Sequence, residues 1–332
     1  MVTIKDVATY AGVTISTVSR VINNKDRVSP QTREKVLKAI RDLGYVRNNL
    51  AASIKTGSTR FIVVVVPDII NEFYTDVISG AESVASANGY YTLVYTTSES
   101  RTKEFSVFGG EFSHMVDGFL LVPSTNNASL IRNVNKPTVL IDRVLAGNDL
   151  YSVSVNNYQG SKLLVEELVR FGHRKIAIIT GPSVYNVGID RMSGYVDVLC
   201  KNHIPLREDY ICSGSWYHED GYRFTEQLLN MPDPPTAIYA ANNLLCMGCV
   251  ECICDRGLTI GKDISLVGFD DSMIAKYIGP GITGLRRATD EMGSIGTRML
   301  ISLLNNKPEE IAEKNVVLDV ELIRRNSIAL LR

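Results

Sequence analysis

The sequence predicts an α/β protein in two parts: a small all-helical head, then a larger body of parallel sheets in two similar lobes. Three observations lead there. From residue 60 onward, short apolar runs alternate with helix-length segments, the pattern of parallel sheets covered by helices. Residues 1–45 instead carry three helix patterns in succession. Charge divides at the same place. Residues 1–60 hold eleven Lys or Arg and four Asp or Glu, a net of +7, so with −1 for the 332-residue chain the remainder carries −8. A basic head on an acidic body points to a polyanionic partner for the head.

In the head, Thr3 is placed to cap a first helix, with Asp6 as its reciprocal partner three residues on. Ile4, Val7, Ala8 and Ala11 then make one apolar face. Gly12-Val13 closes that helix in a tight turn, and Thr14 caps the next. At about 100° per residue, Ile15, Val18, Val21 and Ile22 gather on one face, with Ser16, Arg20 and Asn23 on another. Hydroxyl residues are weak helix formers, so this polar face predicts an outside partner. Ser29-Pro30 starts a third helix, Val36, Leu37, Ile40 and Leu43 are its packing face, and Gly44 ends it. Three short helices, a tight turn and positive charge describe a helix-turn-helix module, whose second helix enters the major groove of DNA. The alternative, a three-helix cap on an enzyme, has no need of the charge.

In the body, the strand candidates are FIVVVV (61–66), YTLVY (91–95), GFLLV (118–122), TVLID (138–142), KIAIIT (175–180), TAIYA (236–240) and ISLVGF (264–269). Helices are expected over 73–88, 102–115, 159–172, 190–203, 219–230 and 243–256. These are too many units for one open sheet, hence two lobes. The common nucleotide and hydrolase fingerprints (GxGxxG, P-loop, HExxH, GxSxG) are absent from the strand ends, and no cofactor is expected. The longest apolar run, 61–66, is far too short to span a membrane, and no leader pattern precedes the first helix. Six cysteines outside a small secreted frame predict reduced thiols and a cytoplasmic location. Cys246, Cys249, Cys252 and Cys254 invite a metal reading. On a helix they fall at about 0°, 300°, 240° and 80°, so four thiolates do not converge on one ion and no metal is expected.

The strings TIKDVATYAGVTISTVSRVINN and VSPQTREKVLKAIRDLGY resemble the head of the lactose-repressor (LacI/GalR) family of bacterial regulators. The resemblance continues through VVVVPDIINEFY, VDGFLLVPS, LIDR, GHRKIAIITGP, DRMSGY, PDPPTAIYAANN, ISLVGFDD and EMGSIGTRML, essentially the whole chain. It implies a periplasmic-binding-protein-like body with an effector cleft between its lobes. It implies a helix-turn-helix domain at 1–45, a hinge at 46–59, an N-lobe of 60–161 with 289–315, and a C-lobe of 162–288 with 316–332. It further implies that Ile15, Ser16 and Arg20 read operator bases while Thr17, Ser19 and Asn23 mainly hold phosphates, with Thr3, Thr14 and Asn48 also on the DNA. Ile15 departs from the commoner polar residue, and an apolar side chain there suits a thymine methyl. VRNNLAASIKTGS (46–58) resembles the family hinge, which folds on operator DNA and wedges an apolar residue, here Ile54, into the minor groove. It departs from the family in Arg47 for the usual Pro and in Ala51-Ala52 for a small residue followed by Arg.

Carried across residue by residue, the resemblance assigns effector contacts to Phe73, Tyr74, Gln159, Arg191, Trp216, Asn242 and Asp270, with Arg287 at a position where the family commonly has Gln. Hydrogen-bonding groups with aromatics suit a polyol ring. Each residue also has a plainer reading: Asp270 as a helix cap, Trp216 and Phe73 as core, Arg191 in a surface ion pair. Arg287 together with Arg191 would favour an anionic effector such as a sugar acid or sugar phosphate, against a solvent-facing Arg287. The combined expectation is a transcriptional regulator, most simply a repressor, bound to an inverted-repeat operator. It would be a homodimer, since the chain stops at Arg332 without a heptad tail. A corepressor- or partner-protein-dependent regulator is the alternative within the family. Outside it stand a sugar-binding receptor and an enzyme, the latter lacking any acid, base or nucleophile separate from the expected ligand binders.

Overall fold

The computed structural model describes residues 2–22, 28–45, 58–109, 111–126, 131, 134–145, 147 and 149–331. Asn23 and, in the expected hinge, Arg47, Asn48, Ala51, Ala52 and Ile54 lie outside the described residues. The chain forms two compact units, residues 1–59 and 60–332.

The first unit contains α1 (Ile4–Ala11), α2 (Ile15–Ile22) and α3 (Pro30–Leu43). Thr3 and Asp6 complete a capping box at α1, and Gly12 ends it at φ 65°, a left-handed position that suits glycine. Ser29 caps α3 through the Thr32 amide, with Pro30 in the first turn. Val7 and Ala8, Val18 and Val21, and Val36 and Ala39 bury against one another, one pair from each helix.

The second unit holds two parallel sheets. The first runs β11-β5-β4-β3-β1-β2, with β1 (Phe61–Val66), β2 (Tyr91–Thr96), β3 (Gly118–Leu121), β4 (Thr138–Ile141), β5 (Tyr151–Val155) and β11 (Asn315–Leu318). Ile62, Val64 and Val66 face one core cluster, while Val63 and Val65 face another. Burial on both faces is why FIVVVV reads as an unbroken apolar run. Its helices are α4 (Glu72–Ala87), α5 (Arg101–Phe108), α6 (Glu111–His114) and, returning from the far end of the chain, α12 (Thr289–Leu304). The expected helix over 102–115 is thus two helices, because Gly109 turns extended at the end of α5. Helices α4 and α12 pack at close range. A β-carbon on Gly80 would collide with the Asp290 carbonyl, and one on Gly293 with the Val77 carbonyl.

The second sheet runs β7-β6-β8-β9, from β6 (Ile176–Thr180), β7 (Ile211–Ser213), β8 (Ala237–Ala240) and β9 (Ser265–Gly268). It is covered by α7 (Asn157–Arg170), α8 (Asn186–Lys201), α9 (His218–Leu229) and α10 (Asn243–Asp255). The short α11 (Met273–Tyr277) precedes β10 (Gly284–Arg287), which pairs antiparallel with β12 (Val320–Ile323). We propose lobe limits of 60–156 with 289–319 and 157–288 with 320–331, which assign α7 and the β10–β12 pair to the second sheet's lobe, a few residues from those the resemblance implies. Cys246, Cys249 and Cys252 lie on α10 and are buried, the first two within the core of the second sheet. Burial pushes the Cys249 thiol up to about 12, so these thiols behave as small apolar side chains. Among the described residues, no helix is long and apolar enough to cross a membrane.

Candidate functional site

In each parallel sheet the chain reverses its direction of strand addition once, between β1 and β3 in the first and between β6 and β8 in the second. Loops diverge at such a point and leave a crevice at the carboxyl ends of the strands. The candidate site lies between the lobes and is built from those ends. Asn71, Phe73 and Tyr74 follow β1, and Asp142 and Arg143 follow β4. From the second lobe, Val187 and Arg191 follow β6, and Trp216, Asn242 and Asp270 follow β7, β8 and β9. Arg287 closes the lining from the end of β10.

Seven of the residues expected at an effector therefore converge: Phe73, Tyr74, Arg191, Trp216, Asn242, Asp270 and Arg287. Gln159 is not among them. It is exposed on α7, whereas Asn157, two residues earlier and so about 200° around the helix, is buried and accepts from Arg191 Nε at 2.9 Å. The sequence reading missed Asn71, Asp142, Arg143 and Val187. The acid–base pair at the end of TVLIDR was an available signal, since charged residues directly after a buried strand stand at the crevice.

The geometry is that of a closed cleft. The Arg287 guanidinium pairs with Asp270 of its own lobe and reaches Asp142 of the other at 3.4 Å. It also lies 4.0 Å over the Phe73 ring. Only 9% of Arg287 is exposed, so it is the inner member of the pair, while Arg286 points out to Glu321. Asp270 also accepts the Asn243 amide, so it braces the start of α10, whereas the following helix is capped by Ser272. Asn71 accepts from the Asn243 side chain across the lobes at 2.9 Å, and Glu72 accepts the Met273 amide. At the rim, Tyr185 of the second lobe donates to Ser124 O at 3.1 Å and lies under the Arg143 guanidinium, itself paired with Glu99. Asp142 sits at φ 64°, a left-handed conformation that Asp tolerates better than most residues and that turns the chain into the site.

Trp216 packs on Gly181, where a β-carbon would fall within its ring. Arg191 stacks 3.6 Å from the Phe269 centroid and donates to the Ala241 carbonyl. Burial and the neighbouring Arg287 lower its pKa. Asn242 caps α10 through the Leu245 amide while donating to Trp216 O at 2.9 Å. The space left is a cavity of about 20 Å³, room for about one water. A second cavity of about 210 Å³ adjoins it, with Phe73, Asp270 and Arg287 as the common wall.

In the first unit, Thr14, Ile15, Ser16 and Arg20 are exposed and Thr17 and Ser19 are half-buried. Ile15 keeps 48% of its surface exposed, although Val18 and Val21 of the same helix are buried. The Thr3 hydroxyl is exposed and committed to its capping box, and the Thr14 hydroxyl bonds those of Ser16 and Thr17 at 2.9 Å.

Comparison with known proteins agrees with both units. Residues 3–48 match the model for bacterial regulatory proteins of the lacI family, and residues 165–328 match the periplasmic binding protein-like domain. The chain is 35% identical over 328 residues to the HTH-type transcriptional regulator RegA of Clostridium saccharobutylicum, covering 98% of each. Among solved structures it resembles the lac repressor dimer bound to operator and the anti-inducer ONPF, with a TM-score of 0.86 at 27% identity over 99% of each chain. It also resembles the transcriptional regulator CelR in complex with cellobiose, with a TM-score of 0.72 at 29% identity, covering 98% of this chain and 100% of that one. With a lacI-type head, a periplasmic-binding-type body and a full-length relative at this identity, the chain belongs to the LacI family of bacterial transcriptional regulators.

Proposed function

We propose that the protein is a repressor that binds an inverted-repeat operator as a homodimer and responds to a small sugar or sugar derivative held between its lobes. The observation that carries this reading is the closed, polar and aromatic cleft at the carboxyl ends of two parallel sheets, in a chain whose separate basic unit leaves Ile15, Ser16 and Arg20 of α2 exposed. A cytoplasmic location follows from this role.

On DNA, Ile15, Ser16 and Arg20 contact base edges, while Thr17, Ser19 and Asn23 hold the backbone and fix the register. Thr3, Thr14 and Asn48 add further DNA contacts, and Ile54 enters the minor groove from the hinge. Dimerisation aligns two heads with two half-sites, so protein and operator share a two-fold axis.

In the cleft, a ring of hydroxyls meets Asn71, Asp142 and the arginines, while Phe73 and Trp216 cover its apolar face. The closed cleft is too small for such a ligand, so binding must separate the lobes. A ligand that favours one lobe arrangement over the other changes operator affinity by the same differential. A gel shift on the gene's own upstream region, with and without a panel of sugars, tests this reading. Retardation altered by one sugar supports it, and no retardation under any condition defeats it.

A further inference from the structure

In the cleft lining, buried donors without a partner outnumber buried acceptors without one. Its two carboxylates, Asp142 and Asp270, are both engaged by Arg287, and Asp270 also accepts the Asn243 amide. Asn242 spends its carbonyl oxygen on the Leu245 amide. Donors are left over. Trp216 Nε1 and Arg143 Nε are both buried without a hydrogen-bond partner. Among the described residues of the lining, no side-chain acceptor is left in that condition. Arg191 is 3% exposed, and its hydrogen bonds go to neutral oxygens, Asn157 Oδ1 and the Ala241 carbonyl. Its charge is answered only at longer range, by Asp270 and Asp142, and Arg287 already pairs with both.

A neutral sugar completes this arrangement less well, because each hydroxyl that accepts also brings a donor in need of an acceptor and no charge for the guanidinium. A carboxylate or phosphate brings acceptors alone and forms charge-assisted bonds to a guanidinium. We propose that the effector is an anionic sugar, a sugar acid or sugar phosphate. Its anionic group pairs with Arg191 and accepts from Trp216 Nε1 and Arg143 Nε. This rests on the effector reading above and names its chemical class. Arg287 sets the selectivity: paired with Asp270 of its own lobe, it withholds that acceptor from a neutral sugar when the lobes part.

The test is calorimetric titration of the full chain with two matched sets: glucose, glucuronate and glucose 6-phosphate, then galactose, galacturonate and galactose 6-phosphate. At least one anionic member should bind tenfold or more tightly than its neutral parent, and the acid and phosphate arms tell the two sources apart. In Arg287→Gln, the freed carboxylates should cut that ratio at least tenfold, with folding checked by the unfolding midpoint. A neutral parent that binds as tightly as its anionic derivatives overturns the proposal, and so does an unchanged ratio in the folded variant. Failure of all six to bind, in a chain that still retards its operator, overturns the anionic assignment and leaves the regulator standing. Failure to bind operator would strike the regulator reading itself.

Discussion

Glu104 offers a quantitative check on the wall behind the cleft rim. It lies on α5 with no exposed surface, and one carboxylate oxygen accepts the Ser124 amide while the other has no partner. The Ser124 carbonyl in turn accepts from Tyr185 across the lobes. Burial pushes the Glu104 pKa up from 4.5 to about 7, although the Ser124 amide pulls the other way. Folding therefore raises the proton affinity of this group. Stability falls as pH rises above the unfolded value and levels off once pH passes the folded one. Linkage across that interval gives a loss of roughly 3 kcal/mol at pH 8 and under about 1 kcal/mol at pH 5. Glu104→Gln removes the ionisation and keeps an acceptor for the Ser124 amide. Urea unfolding of both proteins should show the variant gaining on wild type by about 2–3 kcal/mol between pH 5 and pH 8. A difference between the proteins that is the same at both pH values refutes the buried-carboxylate account.

The other predictions concern DNA reading, helix packing and lobe closure. Ile15→Ala should relax preference at one base pair by about 1–3 kcal/mol, whereas Ser19→Ala should weaken binding to all sequences alike; a panel of single-base operator variants separates the two. Gly80→Ala should destabilise the second unit by about 1–3 kcal/mol or more in urea, because its β-carbon meets the Asp290 carbonyl between α4 and α12. Tyr185→Phe deletes the bond to Ser124 O at 3.1 Å and should weaken the closed arrangement by about 1 kcal/mol, read as a more open body in solution scattering.

The strands most legible in the sequence were those buried on both faces. FIVVVV, GFLLV and TVLID could scarcely be anything else, since their apolar runs are too short for helices and too continuous for loops. β5 and β11 were missed for the opposite reason. YSVSV carries two serines, and NVVL alternates exposed and half-buried positions at the sheet edge, so neither stands out. Helix α12 escaped notice because Gly293 and Gly296 depress helix propensity in EMGSIGTRML. Gly293 lets the α4 backbone approach, a constraint that one sequence does not display. In the cleft, Phe73, Arg191, Trp216, Asp270 and Arg287 were legible as residues but not as partners. That Arg287 would spend both carboxylates depends on β10 and β4 ending at the same crevice, which is a fact of topology. Gln159 lies apart from this group, because a family position fixes a helix more securely than it fixes which face of that helix a side chain occupies.

The most direct test of the account is equilibrium binding of the full chain to DNA from its own upstream region, read by fluorescence anisotropy at fixed salt. Wild type should bind an inverted-repeat sequence at least about a thousandfold more tightly than random DNA, and Arg20→Ala should lose most of that discrimination. Addition of the cleft ligand should change operator affinity at least fivefold in wild type and leave it unchanged in Arg191→Gln. Binding without sequence preference, or operator affinity indifferent to a ligand shown to occupy the cleft, would contradict the account.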